Sequence, residues 1–287
     1  MASPDLPPSG PRSGEALLSA RGLRYSHDGS PALLDVSLHV AEGEIVTVTG
    51  PRGSGKTTLL HCLSGRLLPT DGEVTFDGLA VHTLPPADRE RLRRDRFGWI
   101  GPEPTLVPEL SVWENAALPL LLAGTGRRTA RRAADRWLER LDVADHARDR
   151  PAGLLQSQRQ RVAVARALVH EPQVLFADEP TAPLHTADRA QVLRTLTTAA
   201  RSHGITLVLA SLDAAVLGLR ADGSGPGGTA DDEREGAAPG GDAPVSKVAA
   251  GDALADRTVT LLDGRVVAPR PATAPSAQDP EACSLSV

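Results

Sequence analysis

Ile45-Val46-Thr47-Val48-Thr49-Gly50-Pro51-Arg52-Gly53-Ser54-Gly55-Lys56-Thr57 is the stretch from which the fold can be read. Its first half, Ile45 to Thr49, is a β-branched run that stops at Gly50, the pattern of a short buried strand. Its second half, Gly50 to Thr57, fits G-x-x-x-x-G-K-[ST], and Thr57 to Leu67 then reads as a helix. Strand, glycine loop and helix in that order make a phosphate cradle. Glycines let backbone N–H groups wrap an anion, and the helix N-terminus adds partial positive charge. Lys56 is expected to reach the β- and γ-phosphates of a nucleotide, and Thr57 to offer its hydroxyl to Mg²⁺. Gly50, Gly53, Ser54, Gly55, Lys56, Thr57 and Thr58 are therefore candidate nucleotide-binding residues.

Farther along, Val174-Leu175-Phe176-Ala177 reads as a second buried strand, with Asp178-Glu179 at its end. Open α/β sheets bind ligands at the carboxyl edge of their strands. Asp178 is thus placed to hold Mg²⁺, directly or through water, and Glu179 to polarise an attacking water.

Between and around these stretches the chain alternates strand and helix signals, the pattern of an α/β sheet domain. Val74 to Phe76, Ile205 to Leu209, Thr258 to Leu262 and Arg265 to Val267 read as strands, the last two joined by an Asp263-Gly264 turn. Pro86 fits the first position of a helix running to about Arg94. Ser111-Val112-Trp113-Glu114 is a capping-box pattern opening another helix. Ala130, Ala133, Ala134, Trp137, Leu138 and Leu141 share one helical face and read as core, with a solvated Arg-rich face opposite. A helix from about Gln158 to Val169 precedes the Asp-Glu strand, and one to about Ala200 follows it. Residues 1–14, 218–252 and 269–287 are poor in aromatics and rich in Gly, Pro, Ser or acids, so they read as disordered.

Composition excludes several classes. The 287 residues carry a net charge of -5 and three Trp, three Phe and one Tyr, which argues against a nucleic-acid binder. Cys62 and Cys283 cannot build a disulfide framework and fit a reducing compartment. No secretory signal is expected at the N-terminus, and the apolar run Ala116 to Ala123 is too short to span a bilayer. The reading is a soluble intracellular chain whose membrane role, if it has one, comes through a partner. Of 31 Lys and Arg only Lys56 and Lys247 are Lys, and one of these two stands in the phosphate loop, where a compact ammonium fits.

Taken together, the loop, the Asp-Glu strand, GLLQSQRQRVAVARALVHEP and LFADEPTAPLH resemble the ATP-binding subunits of ABC transporters over roughly residues 16–268. LVPELSVWENAALPLLLAG is similar to the ATPases of lipoprotein-release and macrolide-export systems. A P-loop kinase or GTPase is disfavoured by the same resemblance. It implies an α/β P-loop NTPase core of ABC type, with an antiparallel β subdomain and a helical subdomain inserted at about 96–168, the whole domain spanning 15–268. It further implies ATP and Mg²⁺ as ligands, Tyr25 stacking on adenine, Glu179 as the catalytic acid–base residue, and Thr57 with Asp178 at the metal. The implied partners are a membrane permease and a second ATP-binding subunit in a head-to-tail homodimer or heterodimer, with no nucleic acid. The implied location is cytoplasmic, peripheral at the inner face of the plasma membrane through the permease.

The resemblance is split. The family's Leu-Ser-Gly-Gly-Gln signature falls on Leu154, Leu155, Gln156, Ser157 and Gln158. Its metal-linking glutamine falls on Pro102, its loop aspartate on His185 and its switch histidine on Leu212. The resemblance therefore implies either a transporter ATPase or a nucleotide-binding subunit of weak or no turnover, acting as regulator or as one half of a heterodimer.

Overall fold

The computed structural model describes residues 16–212 and 255–267. The three stretches expected to be disordered, with Lys247 and Cys283, lie outside the described residues.

The strand expected at the start of the phosphate loop, β3 (Ile45–Thr49), sits inside a six-stranded sheet. The sheet order is β10 (Arg265–Val267), β9 (Arg257–Leu262), β3, β8 (Thr206–Ser211), β7 (Val174–Asp178) and β6 (Phe97–Ile100). All neighbours run parallel except the β9–β10 hairpin. Every residue of β3, β7 and β8 is buried, as expected of parallel strands covered on both faces. Side chains alternate between two cores. Ile45, Leu175, Ala177, Leu207 and Leu209 face one, and Val46, Val48, Phe176, Val208 and Ala210 face the other.

The first core packs under α3 (Val112–Leu122), α4 (Arg127–Arg140), α5 (Gln156–Leu168) and α6 (Thr186–His203). These helices form because their apolar residues recur at helical spacing. Ala130, Ala134, Trp137 and Leu138 are the buried stripe of α4, and its arginines face outward, with Arg127 and Arg131 over the Trp113 ring. The Ser111 backbone N–H and hydroxyl both donate to Glu114 Oε2, at 3.0 and 2.7 Å, so the expected cap is formed. Phe97–Ile100 is a sheet strand, so the helices within the expected 96–168 span begin at Val112. Among the described residues no helix is long and apolar enough to cross a membrane.

The second core lies between that sheet, α1 (Lys56–Leu63) and an antiparallel sheet. That sheet has the order β2 (Ser30–Val40), β1 (Leu18–His27), β4 (Asp71–Phe76), β5 (Leu79–Ala80). α2 (Pro86–Arg96) leads into β6. Helix α1 ends at Leu63 rather than at the expected Leu67. Gly65 adopts φ +66 there, and the N–H groups of Arg66 and Leu67 both return to the His61 carbonyl, which closes the helix.

Candidate nucleotide site

The glycine loop is held from behind by two distant strands. A Cβ on Gly50 would lie 2.1 Å from the Leu261 carbonyl oxygen of β9, and one on Gly55 would lie 2.4 Å from the Ala32 carbonyl oxygen of β2. Both glycines also have positive φ, so no other residue fits either position. The Gly264 N–H donates to the Ser54 carbonyl at 3.2 Å, and the Leu34 N–H to the Gly264 carbonyl at 2.7 Å. The β9–β10 turn therefore locks the loop to β2.

Inside the loop, Lys56 folds over its own backbone. Its Nζ donates to the carbonyls of Gly50 and Pro51 at 2.8 and 3.0 Å and stands 3.9 Å from Glu179 Oε1. Desolvation lowers the pKa of this ammonium, although Glu179 and Asp178 pull it back up. Glu179 and Asp178 are raised for the same reason, burial. For Glu179 a backbone N–H from Leu212 and the Lys56 charge act in the opposite direction. For Asp178 the opposing contact is a hydrogen bond from the Thr57 hydroxyl.

Asp178 Oδ1 and Glu179 Oε1 are both buried without a hydrogen-bond partner. Unpaired buried carboxylate oxygens are costly, and hard cations favour a carboxylate beside a hydroxyl. The Thr57–Asp178 pair thus fits a Mg²⁺ ion in its donor chemistry. No group of three or more metal-ligating acids, His or Cys occurs among the described residues.

The remaining expected residues are more scattered. Tyr25, half-buried on β1, meets His27 edge-on at 4.8 Å, and His27 Nε2 lies 3.2 Å from the Thr58 hydroxyl. The Thr58 side chain is thereby turned toward β1, leaving its N–H as the group that can face a ligand. Gly53 is open, with nothing near a Cβ.

Alongside Thr57 and Asp178 opens a cleft of about 820 Å³, walled by α2, β6, α3 and α5 and reaching Pro102 and Glu103. Sequence reasoning missed two residues here. His61 lines the cleft one turn after Thr57, its pKa lowered by burial and by Arg66. Gln160 is fully buried on α5, and its Nε2 donates to the carbonyls of Gly101 and Pro180. The available signal was a glutamine on the buried i, i+4 stripe that continues through Val164 and Leu168.

The profile described as "ABC transporter" matches residues 33–182, more than half of the chain. The chain belongs to the ABC transporter family. An uncharacterised ABC transporter ATP-binding protein of Mycobacterium tuberculosis is 40% identical over 184 residues, covering 64% of this chain and 56% of the relative. The macrolide export ATP-binding/permease protein MacB of Syntrophobacter fumaroxidans is 39% identical over 188 residues, covering 65% of this chain and 26% of that protein. The chain spans about half the length of the curated relatives first matched. Among solved structures, the dimeric bacterial ABC transporter cassette MJ0796 aligns with a TM-score of 0.69 and 27% identity, over 87% of this chain and 96% of that one. The fold is that of an ABC ATPase cassette.

The positions expected to depart from the family pattern fall in distinct settings. Leu155 caps α5 and is 69% exposed, its N–H bonded to Gln158 Oε1 at 2.9 Å. Pro102 and Glu103 are exposed at the cleft, and His185 caps α6 from an exposed position. Leu212 presents an exposed side chain while its backbone serves Glu179.

Proposed function

We propose that this chain is the ATP-binding subunit of an ABC transporter that couples MgATP binding and hydrolysis to a membrane permease of the export or lipoprotein-release type. The observation that carries the reading is the convergence of Lys56, Thr57, Asp178 and Glu179 where β3 and β7 end. Lys56 turns from the Gly50 and Pro51 carbonyls to the β- and γ-phosphates, and loop N–H groups of Gly53, Ser54 and Gly55 hold the remaining oxygens. Thr57 and Asp178 would hold Mg²⁺, which when bound neutralises charge on the phosphate oxygens. Glu179 Oε1, raised by burial, accepts the proton of the attacking water. Tyr25 stacks on the adenine. The similarity to MacB supports the exporter class, and the likeness to a dimeric cassette supports work in pairs.

A second reading concerns the pairing. Leu155, apolar and exposed at the head of α5, has no hydroxyl to offer a phosphate. The chain then acts as one half of a heterodimer or as a regulator, binding nucleotide and turning over only when a partner supplies an intact signature loop. Steady-state ATPase of the chain alone, with its permease and with a second cassette, separates the two. The transporter reading expects turnover with the permease, lost in Lys56→Ala and Glu179→Gln. If the unaltered chain is no faster than Glu179→Gln in every setting, hydrolysis by this chain is refuted. Turnover that requires the second cassette selects the heterodimer.

A further inference from the structure

Glu179 has φ 45, a left-handed backbone that side-chain-bearing residues rarely take, and it stands directly before Pro180, which biases its predecessor toward extended conformations. Such a conformation persists only where the surroundings over-determine it. Three hydrogen bonds do so. The Glu179 N–H donates to the Ala210 carbonyl at 2.9 Å, and the Ala182 N–H to the Glu179 carbonyl at 3.0 Å. The third comes from outside the strand edge: Gln160 Nε2 donates to the Pro180 carbonyl at 2.9 Å. The same nitrogen donates to the Gly101 carbonyl at 3.0 Å. Gly101 is the residue that follows β6 and precedes Pro102 and Glu103 in the cleft wall.

Gln160 is 0% exposed, and its bond to the Pro180 carbonyl is buried, so that carbonyl has no water as an alternative partner there. Both acceptors are carbonyls, so the amide orientation is forced: its NH₂ must face them, and Oε1 is left buried without a partner. A half-satisfied buried amide is a poor stabiliser. Its geometry is explained better by what it joins. One nitrogen bridges the cleft wall and the segment that carries the water-activating carboxylate.

We infer that Gln160 is a positioning residue that ties the loop after β6 to the strained backbone of Glu179, so that nucleotide at the phosphate loop is felt at the cleft wall through this amide. The inference rests on the proposed function for the identity of the nucleotide. Pro102 has no side-chain amide and no N–H, so it cannot make such a link itself. The link comes instead from the opposite side, from α5.

The test uses the full chain, Mg²⁺ with a non-hydrolysable ATP analogue, and amide hydrogen exchange resolved over residues 50–60 and 101–107. Gln160→Met keeps the bulk and removes the donors. Gln160→Glu keeps the shape, and thermal melting identifies whichever variant folds. In the unaltered chain the analogue should slow exchange in both segments. In the Gln160 variants the 50–60 segment should still respond, with analogue affinity within about threefold, while the 101–107 response is lost. Where the complex hydrolyses ATP, kcat should fall about 10- to 100-fold at nearly constant KM. A helix that is merely loosened would instead raise exchange along α5 with or without analogue. A 101–107 response that persists in the folded variants, or that is absent from the unaltered chain, overturns the inference. Lys56→Ala is the separate control. If it binds the analogue as well as the unaltered chain does, the proposed phosphate site fails, and the Gln160 comparison can still be read.

Discussion

At the residue scale, burial raises the pKa of Glu179 and of Asp178 above the usual carboxylate range. An acid whose folded pKa lies above its unfolded value adds stability below the unfolded pKa and loses it as pH rises through the folded one. At neutral pH the ionised Glu179 therefore weakens the ligand-free fold, and Glu179→Gln should melt at a higher temperature than the unaltered chain at pH 8. The gap should narrow toward pH 5, as the natural side chain takes up its proton. Calorimetric melts across that range check it, and an unaltered chain that melts higher at pH 8 refutes it. Function-bearing groups commonly cost stability in this way. Cys62 gives a second residue-scale expectation. Burial pushes its thiol up to about 12, so it should resist alkylation at pH 8 in a Cys283→Ser chain and react only on unfolding.

At the element scale, α4 docks on α3 and α5 through few large side chains. Trp137→Ala should cost about 3–5 kcal/mol, read from denaturant unfolding, because the indole is buried in that core. Ser111→Ala should cost about 0.5–2 kcal/mol through loss of the cap on α3. These elements were legible in the sequence because each carries a local mark: the capping box at Ser111, the alanine and Trp stripe of α4, the β-branched run of β3. The Asp263-Gly264 hairpin was legible for the same reason. β6 was not read, since Phe-Gly-Trp-Ile is too short to show a period, and its place is set by pairing with β7. The end of α1 was misjudged because nothing in Leu67 or Leu68 opposes a helix, whereas Gly65 closes it through contacts a sequence pattern does not weigh. At the site, the loop and the Asp-Glu edge were legible as motifs. The Thr58–His27 bond and the Gln160 bridge were not, because each joins residues whose contact depends on the finished packing.

At the scale of the whole molecule, the two sheets meet behind the phosphate loop. The β9–β10 turn bonds to Ser54 on one side and to Leu34 on the other, and a Cβ at Gly264 would lie 2.8 Å from the Ala32 carbonyl oxygen. Gly264 also has φ 73, which no side chain adopts cheaply. Gly264→Val should therefore lower the melting temperature and weaken analogue binding together, although the residue lies outside the glycine loop. Titration calorimetry beside a melt checks this, and unchanged affinity in a folded variant refutes it.

That turn also sets an order of events during synthesis. Chains emerge from the ribosome N-terminus first, so the glycine loop appears some two hundred residues before the turn that braces it. A nascent chain that has exposed Gly50 to Thr57 but not yet Gly264 carries the motif without its backing. A chain that contains the whole motif but stops before Gly264 should therefore bind nucleotide more weakly than one that includes the turn.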